Sequence, residues 1–413
     1  MKNAHARVDY ARKYHTVVNT VAIATRNTIV SDCKFRLTQV GGPHPLNPMS
    51  TERIPMGRMF IDDEMLETAN RILASGQWIK GPESKAFGAE WAAYCGALGG
   101  TPCSNGSVAL IAALHALDVG HGDEVIVPSH TYIASATCIN LVGATPKFVE
   151  VEEDYYTLDP VVLEAAITSS TKAIIGVHLY GQPMDTAIFE IASKHGIPVI
   201  EDSAQGHGGS LNGQRIGSFG DIATFSFFPS KNMAVGGDGG AIITTREDLI
   251  QRVSTFIDHG RSDKYRNDVL GTNFRLSEIQ CGVGRIQLKH LDGWVARRNE
   301  IAARYNATFS EIPHIKHPQV RPGAVHAWHQ YVLRVGDREA FQAHMNEMNI
   351  STGIHYPIPC HLQPVYADHP QGTEGSLPLT EAICSDIVSI PVMPLLTDEE
   401  VDRVIEAVQA WQP

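Results

Sequence analysis

Four short apolar runs lie between Asp123 and Asp202: DEVIVP (123–128), PKFVEV (146–151), KAIIGVH (172–178) and IPVIED (197–202). Each is nearly continuous rather than alternating, which marks a strand buried on both faces. The stretches between them, such as PVVLEAAITSS and MDTAIFEIASKHG, are long enough for crossover helices. Strands and helices in this rhythm predict an α/β fold with a mostly parallel sheet covered on both sides. DIATFSFF (221–228) and GGAIITT (239–245) add two strands around an irregular glycine-rich loop. Upstream, DDEMLETANRILASG (62–76) and ESKAFGAEWAAYCG have a helical period and stop at Gly76 and Gly96. Beyond about residue 285 the pattern is helical, and HQYVLRVG (329–336) reads as a strand of a smaller α+β C-terminal domain. The expected division is a tail or linker over 1–53, a large domain over 54–300 and a small domain over 301–413.

Composition bounds the function. The chain has 413 residues, 43% apolar and 19% charged, which suits two or three folded units and excludes a disordered chain. Lys and Arg number 33 against 45 Asp and Glu, a formal charge of −12. Such a surface argues against nucleic acid or anionic lipid as the main partner. The seven cysteines (33, 95, 103, 138, 281, 360, 384) show no C-x-x-C and no paired spacing. They predict reduced thiols in a cytoplasmic protein, with neither a disulfide framework nor a metal site. No apolar run is long enough to span a bilayer, which takes ~20 residues. GGPHPLNPMS (41–50) reads as linker. The first 36 residues are rich in Arg, Lys and His; VVNTVAIA, broken by Thr and Asn, is a poor secretory signal. A mitochondrial-type presequence, a disordered tail or an overextended start remain as readings of this segment, with Met49 or Met56 as an alternative beginning.

In open α/β sheets the ligand site lies off the carboxyl ends of the strands, and four features converge there. SNGSVALIAALHAL (104–117) passes abruptly into an apolar helix, so Ser104, Asn105, Gly106 and Ser107 form either a plain N-cap or an anion cradle of free N–H groups. Glu201 and Asp202 end a buried strand, where a carboxylate needs a cation or donor. They read as caps, or as a partner that keeps a heteroaromatic nitrogen protonated. Lys231 stands alone in the loop FPSKNMAVGGDGG. It is a solvated charge, or a desolvated amine able to form a Schiff base with an aldehyde. Tyr132 follows a strand end and is either core or a platform for a flat ring. Ser226 can add a hydroxyl to the anion site or bond locally. Together these are the parts that pyridoxal phosphate requires. No G-x-G-x-x-G opens a helix here, and no G-x-S-x-G, H-E-x-x-H or Walker loop occurs.

From about Ile54 onward the chain resembles the DegT/DnrJ/EryC1/StrS family of sugar aminotransferases. The resemblance is carried, in order, by GPESKAF, SNGSVALIAAL, GDEVIVPSHTYIASA, GATPKFVEV, EDSAQGHGG, FSFFPSKNMAVGGDGG, GTNFRLSEIQ and IHYPIPCHLQPVY. It implies the aspartate-aminotransferase fold (fold type I of the pyridoxal-phosphate enzymes). It also implies that Lys231 bonds to the cofactor aldehyde and Asp202 holds the pyridine nitrogen. Gln205 matches a glutamine near the ring, Gly106, Ser107 and Ser226 match positions around the phosphate, and Tyr132 matches the stacking aromatic. Asn273 matches an asparagine that reaches the phosphate from the neighbouring subunit, which implies a homodimer with composite sites. Arg275, His329, His355 and Tyr356 are the substrate-side candidates; each has a structural alternative, and the one favoured for His329 is a satisfied core histidine. Cys360 stands where leucine is common in the family.

The resemblance implies a ping-pong transfer from L-glutamate or L-glutamine to a keto nucleotide sugar. The HYPIP segment resembles that of relatives acting on 3-keto sugars; a 4-keto nucleotide sugar and a keto-inositol are the alternatives. Lysine at 231 speaks against the family's dehydratase branch, which has histidine there. A non-catalytic protein on this fold predicts a missing lysine or aspartate, and a cysteine desulfurase or lyase predicts a marked catalytic cysteine. The sequence meets neither expectation.

Overall fold

Valine, isoleucine and phenylalanine crowd the short apolar runs, and side chains of that shape suit a pleated surface buried on both faces. In the computed structural model, which describes residues 52–413, they build one seven-stranded sheet. Its strands are β1 (Gly99–Cys103), β2 (Glu124–Pro128), β3 (Thr145–Val149), β4 (Thr171–Val177), β5 (Val199–Asp202), β6 (Ile222–Ser226) and β7 (Gly240–Thr244). Their order across the sheet is β1-β7-β6-β5-β4-β2-β3. Strands β2 to β6 pair in parallel, and β7 runs antiparallel to both β6 and β1. The apolar pattern does not reveal β1, whose sequence is GGTPC. It is an edge strand, where Pro102 is tolerated because its missing N–H interrupts no central ladder. The readings of residues 1–51, including the linker, the presequence and Cys33, lie outside the described residues.

Helices Ala134–Leu141, Pro160–Ala166 and Ala187–His195 carry the chain between successive parallel strands. Helices Asp63–Ser75 and Pro82–Cys95 end at Gly76 and Gly96, both in the left-handed conformation that glycine adopts at no steric cost. Helix Gly106–Ala116 buries Val108, Ala109, Leu110, Ala112, Ala113 and Leu114, so it is apolar nearly all round and sits inside the core.

Helix Glu278–Phe309 has 32 residues and reaches from the large sheet to a second core; residues 300 and 301 fall inside it. That second core gathers Tyr305, Phe309, Trp328, Tyr331, Phe341 and Trp411. It covers a small antiparallel sheet of Ile315–Lys316, Tyr331–Val335 and Ile387–Ile390, with Tyr331–Val335 in the middle. Ile54 is fully buried here. Its N–H donates to Asn349 O at 2.9 Å, and its carbonyl accepts from Ser351 N at 2.9 Å. A chain beginning at Met56 would lack this contact.

Candidate active site

The carboxyl ends of β2, β4, β5 and β6 open on one cavity of about 790 Å³. Gly106, Ser107, Tyr132, Asp202, Gln205, Ser226, Lys231, His329, His355 and Tyr356 all line it. Gly106, Tyr132, Asp202 and Ser226 meet because the sheet brings the same end of its parallel strands to one side, and His329, His355 and Tyr356 reach the cavity from the C-terminal part of the chain.

Asp202 ends β5 and is buried. Its Oδ2 accepts from Ser135 Oγ at 2.7 Å and its Oδ1 from the Ala204 N–H at 3.2 Å. Burial raises its pKa, while these donors and the charge of Lys231 oppose the rise. Ser135 has one hydroxyl proton and gives it to Asp202, so Thr131 Oγ1, 2.9 Å away, is the donor to Ser135. Thr131 and Ser135 thus form a short relay that fixes the carboxylate.

Glu201, the preceding residue, points to the opposite face, as strand alternation requires. Its carboxylate accepts from His178 Nε2 at 2.9 Å and from the N–H groups of Gly217, Phe219 and Gly220 at 2.7–2.8 Å. Its role is structural: it closes the turn that leads into β6. Of the two carboxylates only Asp202 faces the cavity.

Lys231 lies in the loop that joins β6 to β7 and is half-buried against the cavity. Burial pulls its amine down to about 8, against the opposing attraction of Asp202. An amine in that range supplies its neutral, nucleophilic form near physiological pH.

At the start of helix Gly106–Ala116, Asn105 Oδ1 accepts from the Val108 N–H at 2.9 Å. The cap therefore leaves the Gly106 and Ser107 N–H groups to the cavity they line. A Cβ on Gly106 would stand 2.8 Å from Ser226 Cβ, so glycine keeps this corner open beside the Ser226 hydroxyl. Free N–H groups, a helix N-terminus and a hydroxyl form a pocket suited to a phosphate.

Tyr132 is half-exposed, not core, and its ring centroid lies 5.7 Å from that of Tyr356. Gln205 is held at both ends: Oε1 accepts from the Tyr180 N–H at 2.6 Å and Nε2 donates to the Tyr356 hydroxyl at 3.1 Å. His355 places Nδ1 2.8 Å from Ser389 Oγ, and burial pulls it down to about 4, so the ring is neutral. His329 is hydrogen-bonded and stands at the cavity wall. Its Nδ1 lies 3.2 Å from Asn232 Oδ1, and an amide oxygen accepts only, so Nδ1 carries the proton. The ring nevertheless lines the cavity, and burial holds its pKa well below the ordinary value, with the charge of Lys231 adding to the effect.

Asn273 and Arg275 do not join this group within the chain. Asn273 is exposed. Arg275 is tied into an ion pair with Asp258, which also binds Lys80. Backbone pairing of Cys103 with Arg275 and of Asp258 with Asn273 keeps that segment beside the edge strand β1.

Several residues at the site carry no local signal in the sequence. Ser135 reads as a small helical residue, and Tyr180 as part of a turn. Tyr180 takes φ of 59° and donates its hydroxyl to the His355 carbonyl. Met56 to Met59 supply another part of the wall, and Arg298 reads as a solvated charge in WVARRNE.

The sequence profile of the DegT/DnrJ/EryC1/StrS aminotransferase family matches residues 60–409. The chain belongs to that family. This aminotransferase is 46% identical over 354 residues to the dTDP-3-amino-3,6-dideoxy-alpha-D-galactopyranose transaminase of Aneurinibacillus thermoaerophilus, covering 86% of this chain and 96% of that one. Its fold matches the crystal structure of S. venezuelae DesV in complex with a ketimine intermediate, with a TM-score of 0.84 and 42% identity over 87% of this chain and 98% of that chain. It also matches NtdA of Bacillus subtilis with bound cofactor PMP, with a TM-score of 0.79 and 31% identity over 84% and 81% of the two chains. The aminotransferase is thus a pyridoxal-phosphate enzyme, and the pocket between Gly106, Ser226, Asp202 and Lys231 fits that cofactor. The cofactor, when bound, supplies an electron sink for the bonds at the substrate's amine-bearing carbon.

Proposed function

We propose that this aminotransferase moves an amino group from L-glutamate or L-glutamine to carbon 3 of a keto nucleotide sugar, for amino-sugar biosynthesis. The observation that carries the reading is the meeting of Lys231, Asp202 and the Gly106–Ser107–Ser226 corner at one cavity of about 790 Å³. That volume lies within the ~300–1,000 Å³ usual for a small-molecule site. The similarity to the A. thermoaerophilus transaminase supports carbon 3 over carbon 4 or a keto-inositol.

In this reading Lys231 would hold the cofactor at its aldehyde, and its neutral amine would move a proton during the transfer. Asp202, fixed by Ser135 and Ala204, holds the ring nitrogen, and Gln205 sits beside the ring. Gly106, Ser107 and Ser226 take the phosphate, and Tyr132 stacks on the ring. His355, Tyr356 and His329 face the substrate. Asn273 reaches the phosphate of a second copy, so the working unit is a homodimer; its exposure, near the exposed Tyr265 and Leu270, supports that. Arg275 approaches the substrate of that second site in the same way. The reaction belongs in the cytoplasm, a reading supported by the six described cysteines, which are buried and free. No helix among the described residues is long and apolar enough to cross a membrane.

The test is to incubate the cofactor-loaded enzyme with L-glutamate and, separately, 3-keto and 4-keto dTDP- and UDP-sugars, and to identify the aminated product. A 3-amino nucleotide sugar is expected. Amination of only 4-keto sugars or of none overturns the assignment.

A further inference from the structure

One cavity residue carries a charge with no carboxylate paired to it among the described residues. Arg298 projects from helix Glu278–Phe309 and is 6% exposed. Its Nη1 donates to two backbone carbonyls, Trp328 O at 2.7 Å and Val392 O at 3.3 Å. Its Nε is buried without a partner. No carboxylate among the described residues pairs with it, although Arg297 beside it binds Glu300 and Asp398. A guanidinium out of water and without a counter-ion is costly, and buried charges are ordinarily paired. Burial pulls its pKa down to about 9, which still leaves it charged at neutral pH.

The position gives the charge a use. Trp328, whose carbonyl Arg298 holds, directly precedes His329. The charges of Lys231 and Arg298 both depress His329 and the neighbouring His207. Arg298 therefore shares a neighbourhood with the reacting lysine, and it lines the same cavity. A planar fork with donors to spare matches a carboxylate. A carboxylate attached to the carbon that bears the reacting amine must lie near Lys231. A nucleotide diphosphate is bulkier, more highly charged and separated from the reacting carbon by the sugar ring, so it suits an open rim better than a nearly buried fork. The other cavity guanidinium, Arg58, is already paired with Glu400.

We propose that Arg298 binds the α-carboxylate of the amino donor. This rests on the aminotransferase reading above. It makes Arg298 the residue that admits an α-amino acid and sets which of its bonds faces Lys231.

The experiment uses the cofactor-loaded full chain and follows the donor half-reaction by loss of the yellow absorbance, with no sugar present. Arg298→Gln is expected to raise the L-glutamate concentration at half-saturation by ~100-fold, and Arg298→Lys is expected to restore part of it. The aminated form of each variant, prepared with pyridoxamine phosphate, should keep its saturation by the keto sugar. Arg298 also tethers two backbone segments, so a second measurement uses the unmodified enzyme. L-Isoglutamine, in which the α-carboxylate is an amide, should saturate as poorly as glutamate does in Arg298→Gln. Equal saturation by glutamate and isoglutamine overturns the proposal, as does a variant that loses sugar saturation but keeps glutamate saturation. If glutamate discharges the yellow form and no keto sugar accepts the amine, the sugar assignment fails while the Arg298 measurement still decides. If no amino acid discharges it, both fall.

Discussion

Ser135→Ala is the most discriminating single change, because it removes one proton donor and leaves every group attached to the cofactor in place. The Ser135 hydroxyl gives its proton to Asp202 Oδ2 at 2.7 Å, leaving Asp202 with only the Ala204 N–H at 3.2 Å. A hydrogen bond to a charged group contributes ~1.5–3 kcal/mol. Its loss removes a contact that favours the carboxylate and so raises the Asp202 pKa. That adds to a pKa already raised by burial. The carboxylate form is then less favoured, and the side chain holds the ring nitrogen less firmly. Apo enzyme titrated with pyridoxal phosphate should bind it ~10–100-fold more weakly. The deficit should shrink as pH rises, because the carboxylate is recovered above its new pKa. Circular dichroism should be unchanged. Cofactor affinity equal to that of the unmodified chain at every pH, or an equal deficit at every pH, would refute the relay from Thr131 through Ser135 to Asp202.

Three further outcomes follow from the same geometry. Uptake of pyridoxal phosphate by apo enzyme should quicken about tenfold per pH unit up to about 8 and then level off, because only the neutral Lys231 amine attacks. Asp202→Asn should move that midpoint down by removing the attraction that holds the ammonium form, and stopped-flow absorbance reads both. Gly106→Ala puts a methyl 2.8 Å from Ser226 Cβ; at a cost of roughly 1–3 kcal/mol the cofactor should bind ~5–150-fold more weakly, and unchanged affinity in a fluorescence titration removes Gly106 from the phosphate corner. Glu201→Gln should cost ~2–4 kcal/mol of stability and lower the thermal midpoint, whereas Asp202→Asn should abolish transamination with little change in that midpoint; the reverse pattern would mean that the two carboxylates have been assigned to the wrong faces.

The sequence makes the sheet legible wherever its strands are buried on both faces, because apolar content alone identifies β2 to β7. It hides β1, an edge strand of glycine, threonine and proline whose pairing is set by its neighbour. The same contrast holds at the site. Lys231, Asp202 and the Gly106 turn are visible because each is an odd residue for its position: a charge in a glycine loop, a carboxylate at a strand end, a turn that opens an apolar helix. The family resemblance adds Gln205, Tyr132, His355 and Tyr356, whose residue types have ordinary structural uses. Ser135 and Arg298 escape both routes. A serine in a helix and an arginine beside another arginine look solvated until tertiary contacts show one bonded to Asp202 and the other buried without a counter-ion.

The reversed direction of β7 has a consequence for how this scaffold can change. Ser226 at the end of β6 lies opposite Gly240 at the start of β7, so both ends of the Lys231 loop are stapled to one rung of the ladder. The connections that leave β1, β2, β3 and β4 pass through helices, and the one that leaves β5 passes through a long turn with a small hairpin. The lysine therefore rides on a self-contained cassette. Insertions or deletions within it would relocate the amine without disturbing the strand that ends in Asp202 or the turn at Gly106. Chemistry on this scaffold can thus diversify by trading one hairpin arm, while the machinery that grips the cofactor is inherited intact.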